Sequence, residues 1–293
     1  MKRLLVLSFA TLAGFNSLAP GASHAEDRPS RLRIGLLPGE SAPTVMRMNE
    51  PLRTHLESAL GIPVELMVGA NYAATGEALR FGRIDIAYLG PVTYILQRRH
   101  ANVEPFARPT HPVVGPTFQA VVIVPAKSPA KSLADLKGGE IAFGDPASTS
   151  GTWVPRHMLL DAGLVSGKDY GLRVLGAHDA VALAVAAGKV AAGGLSMPIY
   201  QRLLKEGKLD GKAVRVLAES PPIPEYLWTF RPGLDPAFQE QVRKAFVALT
   251  NPEALKIFRA DAFIPAVDAD VDRVRGWIKD IVAGHPEAIG IVK

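Results

Sequence analysis

Phe143-Gly144-Asp145-Pro146-Ala147-Ser148-Thr149-Ser150-Gly151 joins an apolar strand pattern over residues 140–143 to a helical pattern over 151–162. Gly144, Pro146 and Gly151 shape the turn, and three consecutive hydroxyl residues fall at or just before the first helical turn. A helix N-terminus has unpaired N–H groups and the positive end of the peptide dipole, so it attracts anions. Hydroxyl donors gathered there can replace the hydration of a tetrahedral oxyanion without lysine or arginine. The plainer reading is a Ser/Thr cap that satisfies its own helix. A phosphate loop of the nucleotide-binding type is excluded, because the Gly-Lys-Ser/Thr ending is missing.

Working outward, strand-like and helix-like segments alternate. Strands are expected at 32–37, 64–68, 84–88, 118–124, 140–143, 170–175, 190–195 and 214–218. Helices are expected from Asn49-Glu50-Pro51 to about Leu60, and over 73–81, 91–99, 151–162, 177–187 and 198–206. A helical end follows at 236–249, 252–259 and 268–281. This order predicts an α/β fold with helices covering mainly parallel sheets. Two α/β lobes are expected, residues 26–118 plus 231–293 and residues 119–230, with crossings near 116–124 and near the proline-rich 220–231. Ligands of open α/β sheets sit beyond the carboxyl ends of the strands, which here would face a cleft able to close by hinge motion.

Residues 1–25 read as an export signal. Lys2 and Arg3 precede a short apolar run, and Ser23-His24-Ala25 supplies a small-residue cleavage pattern before Glu26. That places the mature chain in a periplasm. Cysteine is absent, which leaves no disulfide and no thiol to lipidate. Beyond the signal, 31 basic residues face 28 acidic ones, a mild net charge of about +3. No dense basic stripe with interleaved aromatics indicates nucleic acid.

Gly176-Ala177-His178-Asp179-Ala180-Val181 also joins a strand to a helix. His178 can donate to an anion, and Asp179 can cap its helix or orient the imidazole; as an isolated pair they read equally as a cap. Tyr72 and Tyr88 follow or end strands, and Tyr94 lies one turn into a helix. Each tyrosine can either donate to an anion or simply pack. Adjacent His178 and Asp179 are poorly placed for a hydrolase triad, and the nucleophile elbow is absent, so no enzyme is expected. No pair of histidines has metal-ligand spacing, and neither metal nor cofactor is expected.

Together these segments resemble the periplasmic binding proteins of phosphate, phosphite and phosphonate importers. The resemblance rests on Leu36-Leu37-Pro38, on Phe81-Gly82-Arg83-Ile84-Asp85-Ile86-Ala87-Tyr88-Leu89-Gly90-Pro91, and on the two strand-to-helix segments above. The His178–Val181 run, Ala192-Gly193-Gly194-Leu195-Ser196 and Ala260-Asp261-Ala262-Phe263 are more similar to the phosphite-binding branch. The resemblance implies a type II binding-protein fold with a hinged cleft. It implies oxyanion contacts from Ser148, Thr149 and Ser150, closure by Tyr72 and Tyr88 with Tyr94 beside them, and a further contact from His178. It implies a monomeric receptor for phosphite or a close relative that delivers its ligand to a membrane permease. Methylphosphonate, phosphate and a role as a sensory accessory to a histidine kinase stand as alternatives. One departure concerns Ala191, where family members often have an acidic residue. Asp179 and Glu40 are the acids left near the ligand, which argues against aminoalkylphosphonates.

Overall fold

The computed structural model describes residues 28–284, so the export signal and its cleavage site lie outside the described residues. The chain begins with β1 (Leu32–Leu36), α1 (Ala42–Leu60), β2 (Val64–Val68), α2 (Tyr72–Arg80), β3 (Ile86–Leu89), α3 (Pro91–His100) and β4 (Glu104–Thr110). After β5 (Thr117–Phe118) it enters a second lobe. There follow β6 (Ala120–Pro125), β7 (Glu140–Gly144), α4 (Val154–Asp161), β8 (Gly171–Gly176), α5 (His178–Ala186), β9 (Ala192–Ser196), α6 (Met197–Lys205) and β10 (Val214–Glu219). It returns through β11 (Ile223–Pro224) to β12 (Leu227–Phe230), α7 (Pro236–Val247), α8 (Pro252–Lys256), β13 (Ala262–Pro265) and α9 (Asp272–Gly284).

Each lobe is built on one sheet. The first has the order β13-β4-β12-β3-β1-β2 and the second β10-β6-β9-β7-β8. Strands β1, β2 and β3 run parallel, as do β7, β8 and β9; the antiparallel strands lie toward one side of each sheet. The inner parallel strands read as apolar runs because helices cover both faces. Gly193 in β9 permits close cover: a Cβ there would stand 2.5 Å from Val181 and 2.8 Å from Val185 of α5. The two crossings pair with each other, Phe118 opposite Ile223 in a short antiparallel ribbon. The two segments that pass between the sheets thus run side by side as one double-stranded ribbon.

Five elements differ from the sequence reading. Helix α1 starts at Ala42, not at Asn49, and runs through Pro51. A proline inside a helix forfeits one backbone bond, a cost of about 3 kcal/mol. Burial of Asn49, Leu52 and Leu56 on the inner face offsets it, and the Asn49 amide donates to the Val45 carbonyl at 2.9 Å. Strands β4 and β13 differ from the sequence reading, since Pro105, Pro109 and Pro265 interrupt their patterns; β13 is the edge of the first sheet, where a missing N–H is tolerated, and β4, paired on both sides, meets β12 with a register shift between Trp228 and Thr229, the latter opposite Pro105. β12 pairs with β3 and β4, so the chain is back in the first lobe by Leu227 rather than at residue 231. Helix α9 does not belong to the first lobe alone. Val274, Ile278 and Ile281 share a core with Val92 and Ile95 of α3 and with Val154 and Leu159 of α4, so α9 braces both lobes from behind.

A buried carboxylate locks the first sheet. Asp85 is fully buried and accepts from the Arg33 backbone N–H (2.8 Å), from Arg33 Nε (3.0 Å) and Nη2 (2.8 Å), and from Arg231 Nε (2.9 Å). It joins the start of β1, the entry to β3 and the exit of β12. Removing one partner leaves buried charge without compensation. Asp85→Ala is therefore expected to lower unfolding free energy by about 3–5 kcal/mol, read as a drop in the urea midpoint.

Candidate functional site

The hydroxyl triplet sits where β7 turns into α4. Ser148 Oγ accepts the Gly151 N–H at 3.1 Å, and Thr152 Oγ1 donates to the Asp145 carbonyl at 2.8 Å. Between them Thr149–Trp153 forms a wide π turn, closed by the Trp153 N–H on the Ser148 carbonyl (3.1 Å). Such turns leave N–H groups splayed and gather at functional sites. Ser148, Thr149 and Ser150 are all fully buried. Thr149 Oγ1 accepts the Val92 N–H of α3, in the other lobe, at 3.0 Å. Ser150 Oγ makes no hydrogen bond of good geometry; its polar neighbour is the Tyr226 hydroxyl.

His178 opens α5 and is also buried. Its backbone N–H donates to the Gly39 carbonyl across the lobes (3.0 Å), and its Nδ1 accepts the Ser196 N–H at 3.2 Å. An acceptor at Nδ1 places the ring proton on Nε2. Burial holds the imidazole neutral, with its pKa lowered to about 4. A Cβ on Gly151 would lie 2.8 Å from His178 Cε1 and 2.9 Å from Ser148 Oγ. Glycine at this position is what brings the imidazole and the hydroxyls together.

The first lobe supplies the lid. Tyr72, at the start of α2, is buried, and its hydroxyl lies against Ser148 and Tyr226; burial pushes its pKa well up. A Cβ on Gly39 would stand 3.0 Å from the Tyr72 hydroxyl and 3.6 Å from His178 Cδ2, so these two groups share one spot. Asp145 crosses the gap: Oδ2 accepts the Tyr72 N–H (3.0 Å) and Oδ1 the Ala147 N–H (2.7 Å).

Of the eight residues singled out from sequence, Ser148, Thr149, Ser150, His178 and Tyr72 come together. Tyr88 lies nearby but outside this nook, its ring stacked on Trp228 (4.9 Å) and against Tyr226 (5.1 Å) and Phe258 (5.2 Å). Tyr94 faces the wrong way: on α3 its hydroxyl donates to Asp268 Oδ1 at 2.6 Å, beside α9. Asp179 accepts the Ala180 N–H at 2.9 Å and serves its own helix, rather than orienting His178. Tyr226 was missed. It lies in the return crossing, with its hydroxyl against Tyr72 and near Ser150, and its ring beside Gly90 and Thr149. The signal was its place just after Pro221, Pro222 and Pro224, in a segment that has to pass the floor of the cleft.

The nook therefore converges hydroxyls from Ser148, Thr149, Ser150, Tyr72 and Tyr226, the His178 Nε2–H and the N–H groups of the π turn. All are uncharged donors. Beyond Tyr72 and Tyr226 lies an interlobe cavity of about 880 Å³. Its walls include Leu37, Tyr88, Phe118, Ser196, Glu225 and Arg259, and the Glu40–Arg202 ion pair spans it from lobe to lobe.

The neutral imidazole has a stability consequence. Its folded pKa lies below the ordinary 6.5, so the unfolded chain takes up a proton that the folded chain refuses. Stability from this group is complete above pH 6.5 and is lost as pH falls toward 4. Urea midpoints between pH 7 and pH 4.5 are expected to fall more steeply for the natural protein than for His178→Gln.

Comparison with known proteins matches this architecture. The model of the ABC transporter phosphonate periplasmic substrate-binding family covers residues 34–271. The phosphonates-binding periplasmic protein of Escherichia coli is 28% identical over 250 residues, spanning 84% of this chain and 74% of that protein. A phosphate-import protein of Mycolicibacterium smegmatis is 25% identical, spanning 87% of each. A binding protein of Prochlorococcus marinus, solved in complex with methylphosphonate, superposes with a TM-score of 0.78 at 21% identity, over 87% of this chain and 99% of that one. The two-lobed fold is that of type II periplasmic binding proteins, and the family serves transport rather than catalysis. With four-fifths of its length matched, this chain belongs to the ABC transporter phosphonate periplasmic substrate-binding protein family.

Proposed function

We propose that this protein captures a tetrahedral phosphorus oxyanion in the periplasm and presents it, lobes closed, to the permease of an ABC importer. The observation that supports this most directly is Ser150 Oγ, fully buried, without a hydrogen bond of good geometry, and set at the N-terminal turn of a helix with the Tyr226 hydroxyl and other hydroxyls around it. A buried hydroxyl without a partner costs free energy, so its retention calls for a ligand. Ser148, Thr149, Tyr72, Tyr226 and His178 complete a shell of donors with no carboxylate aimed at the anion. Asp145, the acid beside it, has both oxygens engaged by backbone N–H groups.

The leading expectation from sequence was phosphite, with an apolar wall flush against its P–H bond. The cavity supports the phosphonate alternative instead. A ligand held by the nook turns its fourth substituent past Tyr72 and Tyr226, toward about 880 Å³ of space. That volume suits an organic substituent better than a single hydrogen, because unfilled contact forfeits dispersion and hydrophobic energy.

Calorimetry of the purified protein against methylphosphonate, phosphite, phosphate and sulfate tests the reading. Methylphosphonate is expected to bind tighter than phosphite, and sulfate weakest. Ser150→Ala is expected to weaken the preferred ligand by about 1.5–3 kcal/mol, the scale of a hydrogen bond to a charged group. Because the hydroxyl makes no hydrogen bond of good geometry within the protein, the same change should leave unfolding stability within about 1 kcal/mol. Unchanged affinity in Ser150→Ala would remove the basis for this placement.

A further inference from the structure

The wall of the cavity beyond the tyrosines holds a second recognition group. Glu225 is buried, 7% exposed, one residue before Tyr226. Its Oε1 accepts from Arg259 Nη2 at 2.7 Å, and its Oε2 faces the Tyr226 N–H at 3.3 Å. Arg259 follows Phe258, whose ring meets Tyr88 edge-on at 5.2 Å, so the guanidinium lies at the end of an aromatic corridor that starts at Tyr226. A guanidinium has five N–H donors in a planar fork. Glu225 takes one of them; Nε and Nη1 of Arg259 have no acceptor among the described residues. Arg259 is also the one described non-glycine residue with positive φ, 53°, a backbone state that costs free energy and persists where the surroundings impose it. Glu225 thus holds the fork at the cavity wall that Arg259 lines and balances its charge, while the remaining N–H groups of the part-exposed guanidinium stay available to a ligand.

We propose that the cavity is an arm subsite for phosphonates, or phosphate monoesters, whose organic substituent ends in a second anionic group such as a carboxylate, received by the guanidinium of Arg259. This rests on the phosphorus-oxyanion reading of the hydroxyl nook. An ammonium at the same place would compete with Arg259 for the single carboxylate of Glu225 and be repelled by the guanidinium. Tyr88, Tyr226 and Phe258 would flank the methylene chain, and charge-assisted, bidentate contacts would fix its end.

Binding of 3-phosphonopropionate, propylphosphonate, 2-aminoethylphosphonate and methylphosphonate by calorimetry decides the matter. The carboxylated ligand is expected to bind at least about tenfold tighter than propylphosphonate, and the ammonium ligand more weakly than either. In Arg259→Gln, and in Glu225→Gln/Arg259→Gln, which leaves no buried carboxylate unpaired, the ratio between 3-phosphonopropionate and propylphosphonate should collapse toward one. A carboxylate that brings no gain, or a gain that survives both variants, overturns the arm subsite while the nook stands. If none of the four ligands binds, the phosphorus-oxyanion reading itself falls, and the arm subsite with it.

Discussion

Two helices of the first lobe are completed by side chains of the second. The Val92 N–H near the start of α3 is taken by the Thr149 hydroxyl, and the Tyr72 N–H at the start of α2 by the Asp145 carboxylate. Helix starts have N–H groups with no partner of their own, and leaving them buried without one is costly. The arrangement removes that cost with residues from the same turn that forms the proposed anion site. On that reading closure and binding are coupled through a few atoms: the turn proposed to receive the ligand also holds the other lobe.

The anion site follows from the same constraint. A buried cation next to a buried anion is held at a large desolvation penalty on both sides. Here the donors are neutral: hydroxyls, an imidazole kept uncharged by burial, and backbone N–H groups at a helix start. His178 contributes as a fixed donor because the Ser196 N–H occupies Nδ1. Gly151 makes this possible, since any side chain would collide with the imidazole and with Ser148. Charged groups line the wider cleft farther out, among them the ion pairs of Glu40 with Arg202 and Glu225 with Arg259.

The ribbon between the lobes gives the return crossing a place in the proposed recognition site. β5 and β11 form the ribbon between lobes, and the next residues, Glu225 and Tyr226, bring a carboxylate and a hydroxyl to the base of the cleft. Tyr226 touches the nook on one side and meets the Tyr88 ring at a 43° tilt on the other. A side chain placed there senses both the head of a ligand and its substituent. Helix α9 holds the opposite side, its apolar face packed on α3 and α4 behind the hinge.

The alternation of strand and helix, the two crossings, and the hydroxyls at the start of a helix are local properties of the sequence, set by apolar period, glycine and proline positions and cap chemistry. These made the α/β lobes and the Ser148–Ser150 turn legible without coordinates. Prolines hid β4 and β13, because an edge strand such as β13, or one with a register shift such as β4, can spare an N–H while its pattern reads as a loop. Pro51 masked the first half of α1, whose continuation depends on burial against other elements. The site's membership was not local at all. Tyr94 and Tyr226 look alike in sequence, yet one hydroxyl meets Asp268 behind the hinge and the other meets Tyr72 in the cleft. Which polar groups converge, and which of them lacks a partner, depends on how two sheets and a returning strand meet in space, and only the tertiary structure decides that.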